Sequence, residues 1–179
     1  MNRPVFIGGR SRRGFTLLEM LVVMGIIGVL AALLFPMLLR AKIQGRDTYC
    51  LNNLYQLGLA VEQYAQDYHS YLPVAEDNPS IPPTPPLPRI CDLLNSYVGG
   101  NSNVFKCPND LDNWFGKVGS SYEWNALVDG RMIDSPSGRI PFTPAQVWLM
   151  ADYENVHAGT STNEATKNVL WADGHASPL

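Results

Sequence analysis

The chain has 179 residues, with 13 basic and 16 acidic side chains and a formal net charge of −3 at pH 7, enough for one compact domain plus extensions. Its charges are segregated: Arg3, Arg10, Arg12 and Arg13 all precede residue 15 and no acid does, so residues 15–179 carry a net −7. So acidic a body is a poor non-specific ligand for DNA phosphates, which excludes nucleic acid as the expected partner.

After the basic stretch 1–14 comes an apolar one, 15–39. From Met20 to Leu39, twenty consecutive residues carry no charge and no strongly polar side chain. At 1.5 Å per residue, a helix of that length spans about 30 Å, the hydrocarbon thickness of a bilayer. A secretory signal peptide has a shorter apolar core and a small-residue cleavage site after it. Here the run continues through Leu38 and Leu39 into Arg40 and Lys42 with no A-x-A pattern. Two residues do not suit a plain membrane anchor. Glu19 would cost about 2.5–3.5 kcal/mol in a membrane helix unless paired, and Pro36 removes a helical hydrogen bond.

Arg12-Arg13-Gly14-Phe15-Thr16-Leu17-Leu18-Glu19 resembles the processing site of type IV pilins and type II secretion pseudopilins. The resemblance implies that a membrane-embedded prepilin peptidase cuts after Gly14, leaves the basic leader in the cytoplasm, and methylates the new amine of Phe15. Glu19 then occupies the family's position for an intramembrane acid, which pairs with the amino terminus of a neighbouring subunit as the filament grows. Pro36 falls where such helices loosen in assembled filaments. Physical chemistry agrees: a charge in hydrocarbon is tolerated when an opposite charge satisfies it, and the freshly exposed amine of another copy is such a partner.

Residues 40–71 read as the amphipathic half of the same helix, which as a whole is expected over Phe15–His69. Leu51, Leu54, Leu57, Gly58, Val61, Tyr64, Ala65 and Tyr68 recur at three- and four-residue steps, with Asn52, Asn53, Gln56 and Glu62 among the residues of the other face. Gly45 is a weak point in that helix. Seven prolines in 72–89 exclude helix and central strand and predict an extended surface loop. In 90–179, a short helix is expected over Ile90–Val98, stopped by Gly99-Gly100. Strands are expected in 120–128, 146–152 and 168–179, the last with a tight turn at Asp173-Gly174. The fold class is α+β: a long helix on a small antiparallel sheet, which is also what the resemblance implies. "CLNNLYQLGLAVEQYAQDYHSYLP" (50–73), "FKCPND" (105–110) and "NVLWADGHA" (168–176) are further similar to a group of pilin-like proteins from planctomycete- and verrucomicrobia-type bacteria. The chain departs from that group in placing His157 sixteen residues before Asp173. It also lacks the Trp-Gly/Tyr loop motif of the major type II secretion pseudopilin.

Three cysteines, Cys50, Cys91 and Cys107, allow one internal bridge with one thiol left over, and spacing leaves the pairing open. Asn109, Asp110 and Asp112 offer oxygen donors of the kind calcium takes, but also the composition of an ordinary turn; no other cofactor is expected. For catalysis, His69, His157 and His175 with Asp152 and Asp173 are the available set. The two aspartates each end a strand-like run, so pairing could bring them together, yet no hydrolase or phosphate-binding motif accompanies them. Trp114, Phe115, Tyr122, Trp124, Trp148 and Trp171 could line a carbohydrate-stacking surface or fill the core. The expected function is a non-enzymatic filament subunit, inserted in a bacterial inner membrane with its head in the periplasm. Its expected partners are other copies, other pilin-like subunits and the prepilin peptidase, with an assembly ATPase and a platform protein acting indirectly. The alternative is a membrane-anchored extracytoplasmic binding module that never polymerises, for example one for carbohydrate.

Overall fold

The structure is a computed structural model that describes residues 14–76, 87–136, 142–154, 157–158 and 165–179. The leader before Gly14 and the centre of the proline-rich loop lie outside the described residues. The chain divides into two compact units, Met1–Ala41 and Lys42–Leu179.

The first helix, α1, runs over Leu17–Asp67 and carries Pro36 inside it. Gly45 does not interrupt it. In the first unit no described residue is buried: every one from Gly14 to Ala41 is exposed, with Leu34 at 64% and Phe35 at 65%. Burying one such side chain is worth about 1.5–3 kcal/mol. A surface apolar all round is therefore one for lipid or for other helices, not for water.

In the second unit α1 becomes one-sided. Cys50, Asn53, Leu54, Leu57, Gly58, Ala60, Val61 and Ala65 are buried, which follows the expected stripe at Leu54, Leu57, Gly58, Val61 and Ala65, while Leu51 and Tyr64 are half-buried and Cys50 and Ala60 join it. Tyr68 is exposed. Asn53, expected on the polar face, is buried because its amide donates to the Lys106 carbonyl at 2.9 Å. A hydrogen-bonded amide is accepted in a core where a bare one is not.

Against this stripe lies a four-stranded antiparallel sheet in the order β1-β2-β5-β6, built from Tyr122–Trp124, Trp148–Asp152, Asn168–Trp171 and Ala176–Pro178. A two-residue pair, β3 (His157–Ala158) with β4 (Ala165–Thr166), forms a second small sheet. Leu149, Met150 and Leu170 bury their side chains with those of α1, and Tyr122 and Trp124 are 1% exposed. The helix approaches the sheet closely at Gly58, where a Cβ would stand 2.9 Å from Leu170 Cδ1. The turn at Asp173-Gly174 forms as expected: Gly174 takes φ 86°, and Trp171 N–H donates to the His175 carbonyl at 2.9 Å, the positive φ that glycine accepts without strain.

Two expected elements are shorter than their composition suggested. The helix after the proline-rich loop, α2, covers only Ile90–Leu94; the chain continues as turns to Gly99 and Gly100, both at positive φ. The 120–128 stretch pairs as a strand only to Trp124, then becomes a 3₁₀ turn at Ala126–Val128 whose Leu127 N–H is capped by the Asn125 side chain. Asparagine competes for backbone donors in this way and ends the strand. A further short helix, α3 (Trp114–Val118), precedes β1.

Candidate functional site

The first site is the start of α1. Thr16 is the residue before the first helical position, and Glu19 is three residues on. Glu19 N–H donates to Thr16 Oγ1 at 3.2 Å, while Thr16 N–H donates to Glu19 Oε2 at 2.8 Å. The Thr16 hydroxyl also reaches Oε2 at 2.8 Å. This is a reciprocal capping box, which satisfies two backbone donors that a helix start otherwise leaves bare. Phe15 stands just before it, 72% exposed, and Gly14 has no atom within 4 Å of where its Cβ would be. The Thr-x-x-Glu spacing carries this information in the sequence, but an acid bordering an apolar span draws attention to its charge first.

The second site lies in the other unit, where α1 meets the loop Lys106–Asp110 and the end of β2. A disulfide joins Cys50 to Cys107; Cys91 keeps a buried free thiol, whose pKa burial pushes up. Beside the disulfide the His157 ring is held from both sides. Its Nδ1 is 2.7 Å from Asp47 Oδ1 and its Nε2 is 3.0 Å from Asp152 Oδ2. Asp152 is 1% exposed and His157 2%, whereas Asp47 is 20% exposed. Burial alone would lower the imidazole pKa, but the carboxylates of Asp152 and Asp47 reverse this and raise it above the ordinary value. Asn168 N–H donates to Asp152 Oδ2 at 2.7 Å, and the Asn109 amide donates to Asp47 Oδ1 at 2.7 Å. Asp47 is absent from any reading by motif, because it lies 110 positions from its partner; only folding joins them.

The structure corrects one pairing. Asp152 and Asp173 are not brought together: β2 and β5 run antiparallel, with Trp148 opposite Trp171 and Ala151 opposite Val169. Two aspartates that both follow strand ends therefore sit at opposite ends of the pair. Asp152 joins His157 instead, and Asp173 bonds to His175 within its own turn. His69, at φ 56°, belongs to the turn that follows α1.

Asn109 and Asp110, expected to face one ion, point to different partners. Asp110 accepts from Trp114 N–H, Phe115 N–H and the Ser121 hydroxyl at 2.7–2.9 Å. Burial pushes its pKa up, but these donors outweigh it and hold it below the usual carboxylate range. Asp110 thereby fills the ordinary turn role that the same composition allows. The aromatics divide likewise. Tyr122 and Trp124 are core, Trp114 stacks on Tyr153, and Trp171 stacks on His175. A cleft of about 290 Å³ between α1 and the Asp173 turn is lined by Gly58, Glu62, Asp134 and Asp173 among others, none of them aromatic.

Comparison with known proteins addresses the first site directly. The family model described as the prokaryotic N-terminal methylation motif matches residues 9–35. The type II secretion system core protein G of Pectobacterium carotovorum is 34% identical over 135 residues, covering 59% of this chain and 86% of that protein. The chain belongs to the type IV pilin-like and type II secretion pseudopilin family. Core protein G of Escherichia coli K12 is 38% identical over 85 residues, 48% of this pilin-like chain and 59% of the relative. The type IV wide pilus major component PilA4 of Thermus thermophilus is 42% identical over 62 residues, or 35% and 47%. The pilin-like chain thus spans about half the length of these last two relatives. No solved structure gives a significant match.

Proposed function

We propose that this chain is a structural subunit of a pilin-like filament, a type IV pilus or a type II secretion pseudopilus, and not an enzyme. A prepilin peptidase cuts between Gly14 and Phe15 and methylates Phe15. The chain waits in a bacterial inner membrane through 15–39 with its head outside the cytoplasm, and an assembly ATPase acting through a platform protein adds it to other pilin-like subunits. The observation that carries this reading is the start of α1: an apolar helix with every side chain exposed, opening on a carboxylate just after the expected scissile bond. Lipid covers that surface before assembly and sister helices cover it afterwards. Glu19 caps its own helix in the single chain; in the filament its charge is available to the Phe15 amine of a neighbour.

Intact mass and N-terminal peptide analysis of the membrane-extracted protein, produced with and without a prepilin peptidase, tests the proposal. A mature chain starting at methylated Phe15, seen only with the peptidase, is expected. An intact Met1 start in the presence of peptidase, or cleavage beyond Leu39, would reduce the segment to an anchor or a signal peptide.

A further inference from the structure

The buried cluster around His157 has the donor set of a metal site once its disulfide is opened. Cys50 Sγ, Cys107 Sγ and a His157 ring nitrogen lie within 4.8 Å of one another. Cys107 Sγ is 3.5 Å from Nε2, and Nε2 is 3.0 Å from Asp152 Oδ2. In a tetrahedral zinc site, with Zn–S about 2.3 Å and Zn–N and Zn–O about 2.0–2.1 Å, the S···N edge is about 3.6 Å and the N···O edge about 3.3 Å. Two edges of that tetrahedron are therefore nearly in place. On the far side of the ring, Asp47 Oδ1 at 2.7 Å from Nδ1 is the outer carboxylate that holds the proton on Nδ1 and frees the Nε2 lone pair for a metal. Asp152 is itself oriented by Asn168 N–H, and its second oxygen, Oδ1, is buried without a hydrogen-bond partner among the described residues. All four donor residues are at most 2% exposed.

We infer that Cys50, Cys107, His157 and Asp152 form a latent zinc site, closed while the disulfide stands and opened by a dithiol reductant. The dithiol passes two electrons and two protons to the S–S bond and is left as its own disulfide. Zn²⁺ then binds the two sulfurs as thiolates, and their two protons go to solvent. The sulfur and nitrogen donors select zinc over calcium or magnesium, which take oxygen. The metal would replace the covalent tie between α1 and the loop at Cys107, so the head stays pinned at the same point in either redox state.

The test uses the full chain in detergent micelles, reduced with a phosphine that does not itself bind zinc, with zinc and then cobalt as probes. The expected result is one zinc per chain after reduction and none before. Cobalt should show thiolate charge-transfer absorption and tetrahedral ligand-field bands. Asp47→Asn removes no ligand and should weaken zinc binding by about 10–100-fold, while Cys91→Ser should leave it unchanged. A reduced chain that takes up no zinc overturns the inference. So does equal affinity in wild type and Asp47→Asn, which would mark adventitious thiol binding, or a loss of binding in Cys91→Ser.

Discussion

Replacing His157 by leucine in the oxidised protein removes the ring that lies between Asp152 and Asp47. Asp152, at 1% exposure, cannot rehydrate and among the described residues keeps the Asn168 N–H as its donor. Asp47, at 20% exposure, can reach water and retains the Asn109 amide, so the cost is concentrated at Asp152. Removing one partner of a buried ion pair costs about 3–5 kcal/mol, mostly from the charge left behind. For a unit of this size that corresponds to a fall in melting temperature of roughly 10–20 °C. Thermal unfolding of the full chain in detergent micelles, followed by near-ultraviolet circular dichroism, reads Tyr122 and Trp124 in the core directly. If the stranded charge is the cause, adding Asp152→Asn to His157→Leu should recover a large part of the loss, because asparagine still accepts the Asn168 N–H and carries no charge. A single variant that melts within about 3 °C of wild type, or a double variant no more stable than the single, would refute the electrostatic account.

Three further outcomes are expected. Glu19→Gln keeps the capping box, since glutamine can replace glutamate in it, but removes the charge; Glu19→Ala removes both. If charge drives incorporation, both variants should be absent from sheared filaments, whereas Glu19→Gln assembling like wild type would assign the residue to helix capping alone. Asp110 has a folded pKa below its ordinary value, so its contribution to stability is fully present above the unfolded pKa of about 3.9 and is lost as pH falls through the lower, folded value. Asp110→Asn should accordingly flatten the acid limb of a stability–pH profile, and an unchanged limb would remove Asp110 from the account. Gly58→Val should destabilise by about 1–3 kcal/mol through the clash with Leu170, while in Gly58→Ala the gain in helix propensity of about 1 kcal/mol offsets part of it; a stabilising Gly58→Val in denaturant titration would contradict the close approach of helix and sheet.

Much of this protein is written locally. The apolar run from Met20 to Leu39, the Gly14-Phe15 junction and the acid at Glu19 are all short-range patterns, and each was readable without a fold. So were the one-sided stripe from Leu54 to Ala65 and the Asp173-Gly174 turn, because helical periodicity and turn chemistry depend only on near neighbours. Strand lengths were less legible: Asn125 diverts its neighbours into a 3₁₀ turn, a competition between side chain and ladder that composition does not resolve. What sequence could not supply is which distant groups share a site. Antiparallel pairing separates Asp152 from Asp173 and leaves Asp152 beside His157. The packing of α1 brings Cys50 to Cys107 and Asp47 to His157 across separations of 57 and 110 positions. Sequence determined the apolar span, the acid at its start and the class of fold, through local backbone preference and hydrophobic pattern. Tertiary structure alone decided the buried site, because a buried charge needs a partner, and that partner is found by packing rather than by position in the chain.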